Sequence, residues 1–268
     1  MAKQVKLAAI RSNEGLILEL HRRLDSLVDA MDRSLMYWLT AVYRATPPEM
    51  AQDASPAATI NAVMGRLTRL WNKRFSEAAS ILAEHFSKAA RDRTDASLRS
   101  ALKKTGITVD FRTTREINDI MQATIAENVS LIKSIAREHL AEVQQMAMRS
   151  VTAGRDLGGF QKDLRERFGV THRKAALIAR QSNNNTTAMI SRARYAELGI
   201  TQAQWVHSNA GKVPRPEHVR WNGKMYNVDT GMYSKVSKKY VWPGTDFNCR
   251  CSSRAIVKTT NVAARLNG

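Results

Sequence analysis

Two cysteines, Cys249 and Cys251, stand one residue apart in the stretch WPGTDFNCRC, and the 268-residue chain has no others. Upstream, His207 and His218 lie in HSNAGKVPRPEHVRWNGK. Thiolates and imidazoles can hold zinc in a tetrahedral site. Alternate residues of a strand face one way, so a strand here would present both sulfurs to one side. Zinc sites more often separate paired cysteines by two residues, and this chain has no second pair. The simpler reading is two small thiols packed as hydrophobes, with no metal and no cofactor. Zinc on Cys249, Cys251 and His218 is the alternative. A mutual disulfide would be strained at this spacing.

His207, Asn209 and His218 suggest a second chemistry. In a histidine–asparagine nuclease, a histidine activates water while a divalent metal is held against the phosphate. Acidic residues are sparse here, and the strand–strand–helix pattern is missing. VPRP reads as a stiff turn, and the Asn-Gly pair of WNGK as a hairpin turn. The chain shows no phosphate-binding glycine loop, nucleotide fingerprint or nucleophile triad. The expectation is a protein that is not an enzyme, with a metal-dependent nuclease as the alternative.

Charge points to partners. Forty-two Lys and Arg face 24 Asp and Glu, a net of +18. Residues 155–268 hold 20 basic against 7 acidic residues, so this smaller part carries +13 of the excess. A basic surface with aromatics suits phosphate backbones and bases. Arg180, Arg192, Arg194, Lys212, Arg215, Arg220, Lys224, Lys238, Lys239 and Arg250 are the expected nucleic-acid contacts. No apolar run reaches about 18 residues, so no membrane span is expected. MAKQVKLAAIRSNEG lacks a signal-peptide core, which places the expected site of synthesis and assembly in the cytoplasm.

The elements that must carry these residues follow from periodicity. Leu20, Leu24, Leu27, Met31, Leu35, Trp38 and Val42 form one helical stripe from Glu14 to Tyr43, with Asp25, Asp29 and Asp32 on other faces. TPPEM stops that helix. Ser55 and Pro56 open a second helix, whose stripe includes Ile60, Val63, Leu67, Leu70, Trp71, Phe75, Ile81 and Phe86 and which extends toward Leu102. Thr113 and Glu116 make a capping box for a third, with Ile117, Ile120, Leu131, Ile135 and Val143 inward, to about Arg149. A short helix through Phe160, Leu164 and Phe168 precedes another from Thr171 to Leu198, closed by Gly199.

Within that last helix, ARQSNNNTTAMISRAR is too polar for an ordinary helical face. Its asparagines are expected to bond a neighbouring loop or mark a break. Strands follow at AQWVHS, GKMYNV, KKYVW and NCRCSSRAIV. The fold class is therefore α+β: a long-helix bundle over residues 1–154, suited to docking, then a basic helix-plus-antiparallel-sheet domain over 155–268. In WPGTDFNCRC, Pro243 and Gly244 are expected to turn the chain and Asn248 to bond nearby backbone. Cys249 and Cys251 would pack inward beside His218, with Arg250 on the opposite face.

The order of these pieces resembles the phage head-morphogenesis, or minor head protein, family typified by the F protein of phage Mu. The resemblance covers roughly residues 155–257. It falls on Arg180, Asn184 or Asn185, Trp205, Arg215, His218, Gly223, Pro243, Gly244, Asn248, Cys249, Arg250 and Cys251. The chain departs from the pattern at Arg180, Gln181 and Ser182, where many relatives carry Arg-Thr-Glu, and at VPRPEH, where many carry Cys-x-x-Cys. The resemblance implies a low-copy minor capsid protein of a tailed phage. Its implied partners are the portal protein, scaffold or major capsid protein, and double-stranded DNA. Its implied location is the host cytoplasm during assembly, then the interior of the virion head.

Overall fold

The computed structural model describes residues 4–45, 55–154, 156–210 and 213–258. TPPEM and Lys212 lie outside the described residues. Among these residues the order is β1 (Gln4–Lys6), α1 (Glu14–Ala45), α2 (Pro56–Lys103), α3 (Arg115–Thr152), α4 (Leu157–Glu197), β2 (Gln202–Val206), α5 (Pro216–Trp221), β3 (Met225–Asn227), β4 (Met232–Ser234), β5 (Lys239–Val241) and β6 (Ser252–Lys258). The fold is α+β, with long helices first and small antiparallel sheets after. No helix of the described residues is long and apolar enough to cross a membrane.

Local chemistry sets the helix ends. Asn13 Oδ1 accepts the Leu16 amide at 3.0 Å and caps α1. Ser55 Oγ accepts from the Ala58 amide at 3.4 Å, with Pro56 as the first residue of α2. The cap of α3 is Thr114, one residue beyond the expected Thr113: its Oγ1 accepts the Ile117 amide at 3.3 Å. Gly199 ends α4 at φ 67°, with Ile200 N–H donating to Tyr195 O and Gly199 N–H to Ala196 O. These two bonds make a Schellman motif, which needs a residue that tolerates positive φ.

The short helix expected through Phe160, Leu164 and Phe168 and the one expected from Thr171 to Leu198 are one continuous α4 of 41 residues. Gly169 does not break it. A glycine in a helix costs roughly 1 kcal/mol relative to alanine, a small penalty beside the burial of Phe160, Leu164, Ala175 and Ile178.

The chain divides into two compact units, interleaved in sequence. The helical unit comprises Leu18–Ala83 and Ala126–Ala179. Leu24, Val28, Met31, Leu35 and Leu39 of α1 are fully buried in it, as are Ile60, Met64 and Phe75 of α2. The α1 stripe differs from the expected one at its end: Leu39 and Tyr43 are buried, whereas Trp38 is 46% exposed. A straight helix drifts by about 20° per heptad against a strict seven-residue repeat, so the buried face moves from 38 to 39 and from 42 to 43. In α2, Leu70 and Ile81 of the expected stripe are exposed as well, and Ile81 lies on the face opposite the buried Ala79 and Ala83.

The sheet-bearing unit comprises Met1–Ile17, Glu84–Ile125 and Arg180–Gly268. Its four-stranded antiparallel sheet has the order β1-β6-β2-β3, and β4 pairs with β5 in a separate ribbon. Register is fixed by pairs such as Trp205 with Ser253 and Val5 with Val257. Leu7, Ile10, Leu98, Leu102, Tyr195, Trp205, Ala255 and Val257 share one core.

Candidate functional site

The last turns of α4, the β2–β3 connection and the loop leading into β6 meet within the sheet-bearing unit. Pro216 opens α5, and the residue before it, Arg215, is extended as a pre-proline residue should be. This short helix delivers His218 and Trp221 inward, both buried. Trp205 on β2 is fully buried and lies edge-on to His218 at 5.0 Å and to Trp221 at 4.8 Å between ring centroids. His218 stacks on Trp221 at 5.3 Å. Asn222 and Gly223 cap α5 rather than forming the expected two-residue hairpin, and Gly223 takes φ 81°.

His218 Nδ1 stands 3.5 Å from Cys249 Sγ and 3.8 Å from Cys251 Sγ, and both cysteines are buried. The cysteines precede β6 rather than lying in it, yet they converge on the one imidazole. On the ring's other side, Nε2 is 3.6 Å from Asp246 Oδ2, and Asp246 Oδ1 is 3.5 Å from Lys239 Nζ. The hydrogen bond from Cys251 pulls the Cys249 thiol down from its ordinary range to about 4, with His218 adding to the effect against burial. Cys251 is pushed up, first by its bond to Cys249 and then by burial.

Zinc bonds of about 2.3 Å to sulfur and about 2.0 Å to nitrogen, at tetrahedral angles, separate donors by about 3.5 Å. The observed spacing fits, and Cys249, Cys251 and His218 are the residues that would hold the ion. Among the described residues no fourth Cys, His, Asp or Glu donor joins them. Closed structural zinc sites use four protein ligands. The same contacts are ordinary hydrogen bonds of sulfur with imidazole, and the surroundings are aromatic.

The loop carrying this cluster is held from α4. Pro243 and Gly244 are the central residues of a turn closed by Thr245 N–H to Trp242 O at 3.2 Å. Gly244 has φ 92°, and a Cβ there would lie 3.1 Å from Ala188 Cβ. Asn248, at φ 56°, is a residue type that tolerates the left-handed region. Its backbone N–H donates to Gln181 Oε1 at 2.6 Å. Asn184 Nδ2 donates to the Cys249 carbonyl at 2.8 Å, and Asn184 Oδ1 accepts from Ser12 Oγ at 2.6 Å. Asn183 Nδ2 donates to Asn13 O at 2.8 Å. The polar run of α4 is therefore a buried clamp inside an unbroken helix, and of the two asparagines in the motif Asn184 is the one that bonds Cys249.

The expected nucleic-acid residues separate into groups. Arg194 is not a surface contact: it is 1% exposed and makes a two-pronged pair with Asp95 at 2.8 and 2.9 Å. It also bonds Glu197 at 2.7 Å and the Arg112 carbonyl at 2.9 Å. A buried guanidinium needs paired partners, and here α2 and α4 supply them. Arg192 lies over the Trp242 ring at 3.9 Å. Arg215 donates to the Phe247 carbonyl at 2.7 Å while remaining exposed. Arg220, Lys224, Lys238 and Lys239 are exposed.

Arg180 and Arg250 share a cavity of about 340 Å³ with Arg11, Ser12, Asn184 and His207. Arg250 Nη1 donates to the Ala210 carbonyl at 2.7 Å. The Arg180 side chain makes no hydrogen bond among the described residues; burial and the nearby Arg250 lower its pKa, against the opposing pull of Glu14 on the same cavity. His207 bonds Asn209 at 2.7 Å and borders this cavity, whereas His218 is enclosed with the thiols. The two histidines therefore belong to different environments.

Sequence reasoning gave no role to Ser12, Asn13, Gln181, Asp95 or Asp246. Gln181 stood in the polar run of α4 and Asp246 in WPGTDFNCRC, but their partners Asn248 and His218, like those of Ser12, Asn13 and Asp95, are distant in sequence.

The model of the family described as Phage Mu protein F like protein matches residues 141–254. The resemblance in motif order to the phage head-morphogenesis family is thereby shown over that segment. The match covers the clamp of α4, the tryptophan–histidine core and the Cys-Arg-Cys loop. An uncharacterized protein of Haemophilus influenzae is 29% identical over 222 residues, which is 78% of this chain and 48% of the relative. The chain thus spans about half the length of that curated relative. No solved structure matches.

Proposed function

We propose that this chain is a minor head protein of a tailed phage, low in copy, which associates with the portal and touches packaged double-stranded DNA. The family match supports a phage head-morphogenesis protein. The observation that carries the DNA contact is the pair Arg180 and Arg250 on one cavity, close enough for Arg250 to lower the Arg180 pKa, with no hydrogen bond from the Arg180 side chain and Glu14 as the carboxylate beside them. A phosphate oxygen accepts well from such a pair, and guanidinium is the group best shaped for it. Arg220, Lys224 and Lys238 extend positive charge over the same unit. Portal association would use the helical unit, where Trp38, Leu67 and Leu70 border an apolar groove and Ile81 is 71% exposed.

Binding of the full chain to duplex DNA over a salt series tests the DNA contact. Affinity should fall steeply as salt rises, because neutralised phosphates release counterions. Absence of binding at low salt would end this part of the reading. Co-purification with portal-containing particles tests the rest. The nuclease alternative gains no support from the geometry, since His207 and His218 do not face one site; purified protein with Mg, Mn or Zn should leave plasmid intact.

A further inference from the structure

In the helical unit, α1, α3 and α4 bring together polar side chains that the proposed function does not use. Helix α1 carries Asp25, Asp29 and Asp32 on successive turns, α4 carries His172, and α3 carries His139. Their arrangement is graded. His172 Nδ1 lies 2.9 Å from Asp25 Oδ1, and Asp25 Oδ2 lies 3.0 Å from His21 Nε2. With Nδ1 donating to Asp25, the other ring nitrogen faces Asp29 Oδ1 at 3.3 Å and Asp32 Oδ2 at 3.5 Å. One donor atom from each of Asp29, Asp32 and His172 lies within 4.8 Å of the other two.

An independent feature sits behind this group. His139 is fully buried. Its Nδ1 is 2.7 Å from Thr171 Oγ1, and that hydroxyl donates to the Arg167 carbonyl at 3.2 Å. The imidazole therefore donates from Nδ1, which leaves Nε2 as a bare acceptor. Nε2 has no hydrogen-bond partner and stands 3.6 Å from Asp32 Oδ1, a buried oxygen that also has none. Buried polar atoms are nearly always paired. Two facing acceptors lack the proton or cation that would join them.

We propose that Asp29, Asp32 and His172 bind one divalent transition-metal cation, with His139 standing behind Asp32 and outside the coordination. Mixed imidazole and carboxylate donors suit zinc, cobalt, nickel and manganese, rather than calcium or magnesium, which prefer oxygen alone. Asp25 takes the place of the outer carboxylate that commonly orients a metal-binding histidine. The exposed side of Asp29 leaves room for water to complete the coordination. Such an ion would fasten α1 to α4.

The test uses the full chain stripped by a chelator and titrated with Co²⁺, followed by calorimetry, visible absorption and thermal unfolding. One equivalent should bind, with ligand-field bands but no thiolate-to-cobalt charge-transfer band, and the unfolding temperature should rise. Asp29→Asn alters an exposed side chain and should leave the metal-free fold intact while weakening binding by roughly tenfold or more. Asp25→Asn should weaken it by a similar factor, and His172→Gln should abolish it. The proposal is overturned if the wild-type chain takes up no cobalt equivalent, if the only bands are those of cobalt thiolate, or if Asp29→Asn and Asp25→Asn both bind like wild type.

Discussion

Asn184 and Cys249, 65 residues apart, are joined by a 2.8 Å bond from the Asn184 side-chain amide to the Cys249 carbonyl. The bond explains why a helix interior carries a run of asparagines. Replacing Asn184 by Leu leaves the Cys249 carbonyl and the Ser12 hydroxyl without their partner. The expected loss is about 1–3 kcal/mol of stability. Asn184→Asp should cost more, because it sets a carboxylate oxygen against a carbonyl. Denaturant unfolding of the two variants measures both, and equal stability to wild type would remove the clamp.

Gly244 has a conformational and a packing reason to be glycine. Its φ of 92° disfavours any L side chain, and a Cβ would press on Ala188. Gly244→Ala should destabilise by roughly 1–3 kcal/mol. Gly223→Ala offers a comparison, since a Cβ there meets nothing nearer than 3.9 Å and only the φ strain remains. The expected order is Gly244→Ala worse than Gly223→Ala by thermal unfolding.

Arg194 should behave as a structural residue. Arg194→Met leaves the buried Asp95 carboxylate unpaired, at a cost of about 3–5 kcal/mol. Arg194→Lys should recover only part of that, because an ammonium cannot reproduce the two-pronged pair. Chemical denaturation of the two variants checks the order.

The Cys249, Cys251 and His218 cluster is expected to hold together by hydrogen bonds and packing without metal. The Cys249→Ser, Cys251→Ser double variant should then contain the same amount of zinc as wild type by elemental analysis. Loss of one zinc equivalent in that variant, with unfolding of the sheet-bearing unit on chelation, would establish the zinc alternative.

Periodicity carries much of the fold. The stripes of α1 and α2 are legible because burial follows a 3.6-residue repeat, but the choice between Trp38 and Leu39 is not, because it depends on a small angular drift accumulated along the helix. The strand β1 is illegible for a different reason: three residues gain strand structure only by pairing with β6, at the other end of the sequence. Asp32 reads as an outer-face residue of α1, yet it is 8% exposed. A short carboxylate gives no local sign of the histidines that α3 and α4 bring to it. The polar run in α4 does give a sign, since a helix has no reason to place three asparagines in sequence unless something bonds them.

The salt dependence of DNA binding, compared between wild type and the Arg180→Ala, Arg250→Ala double variant, tests the proposed function most directly. Each phosphate that the variant no longer neutralises should reduce the slope of log affinity against log salt by about 1. The prediction is a slope shallower by about 2 in the double variant, from two such phosphates, with thermal stability close to wild type and weaker binding to every duplex sequence alike. An unchanged slope in a folded double variant would contradict it and detach the cavity from DNA.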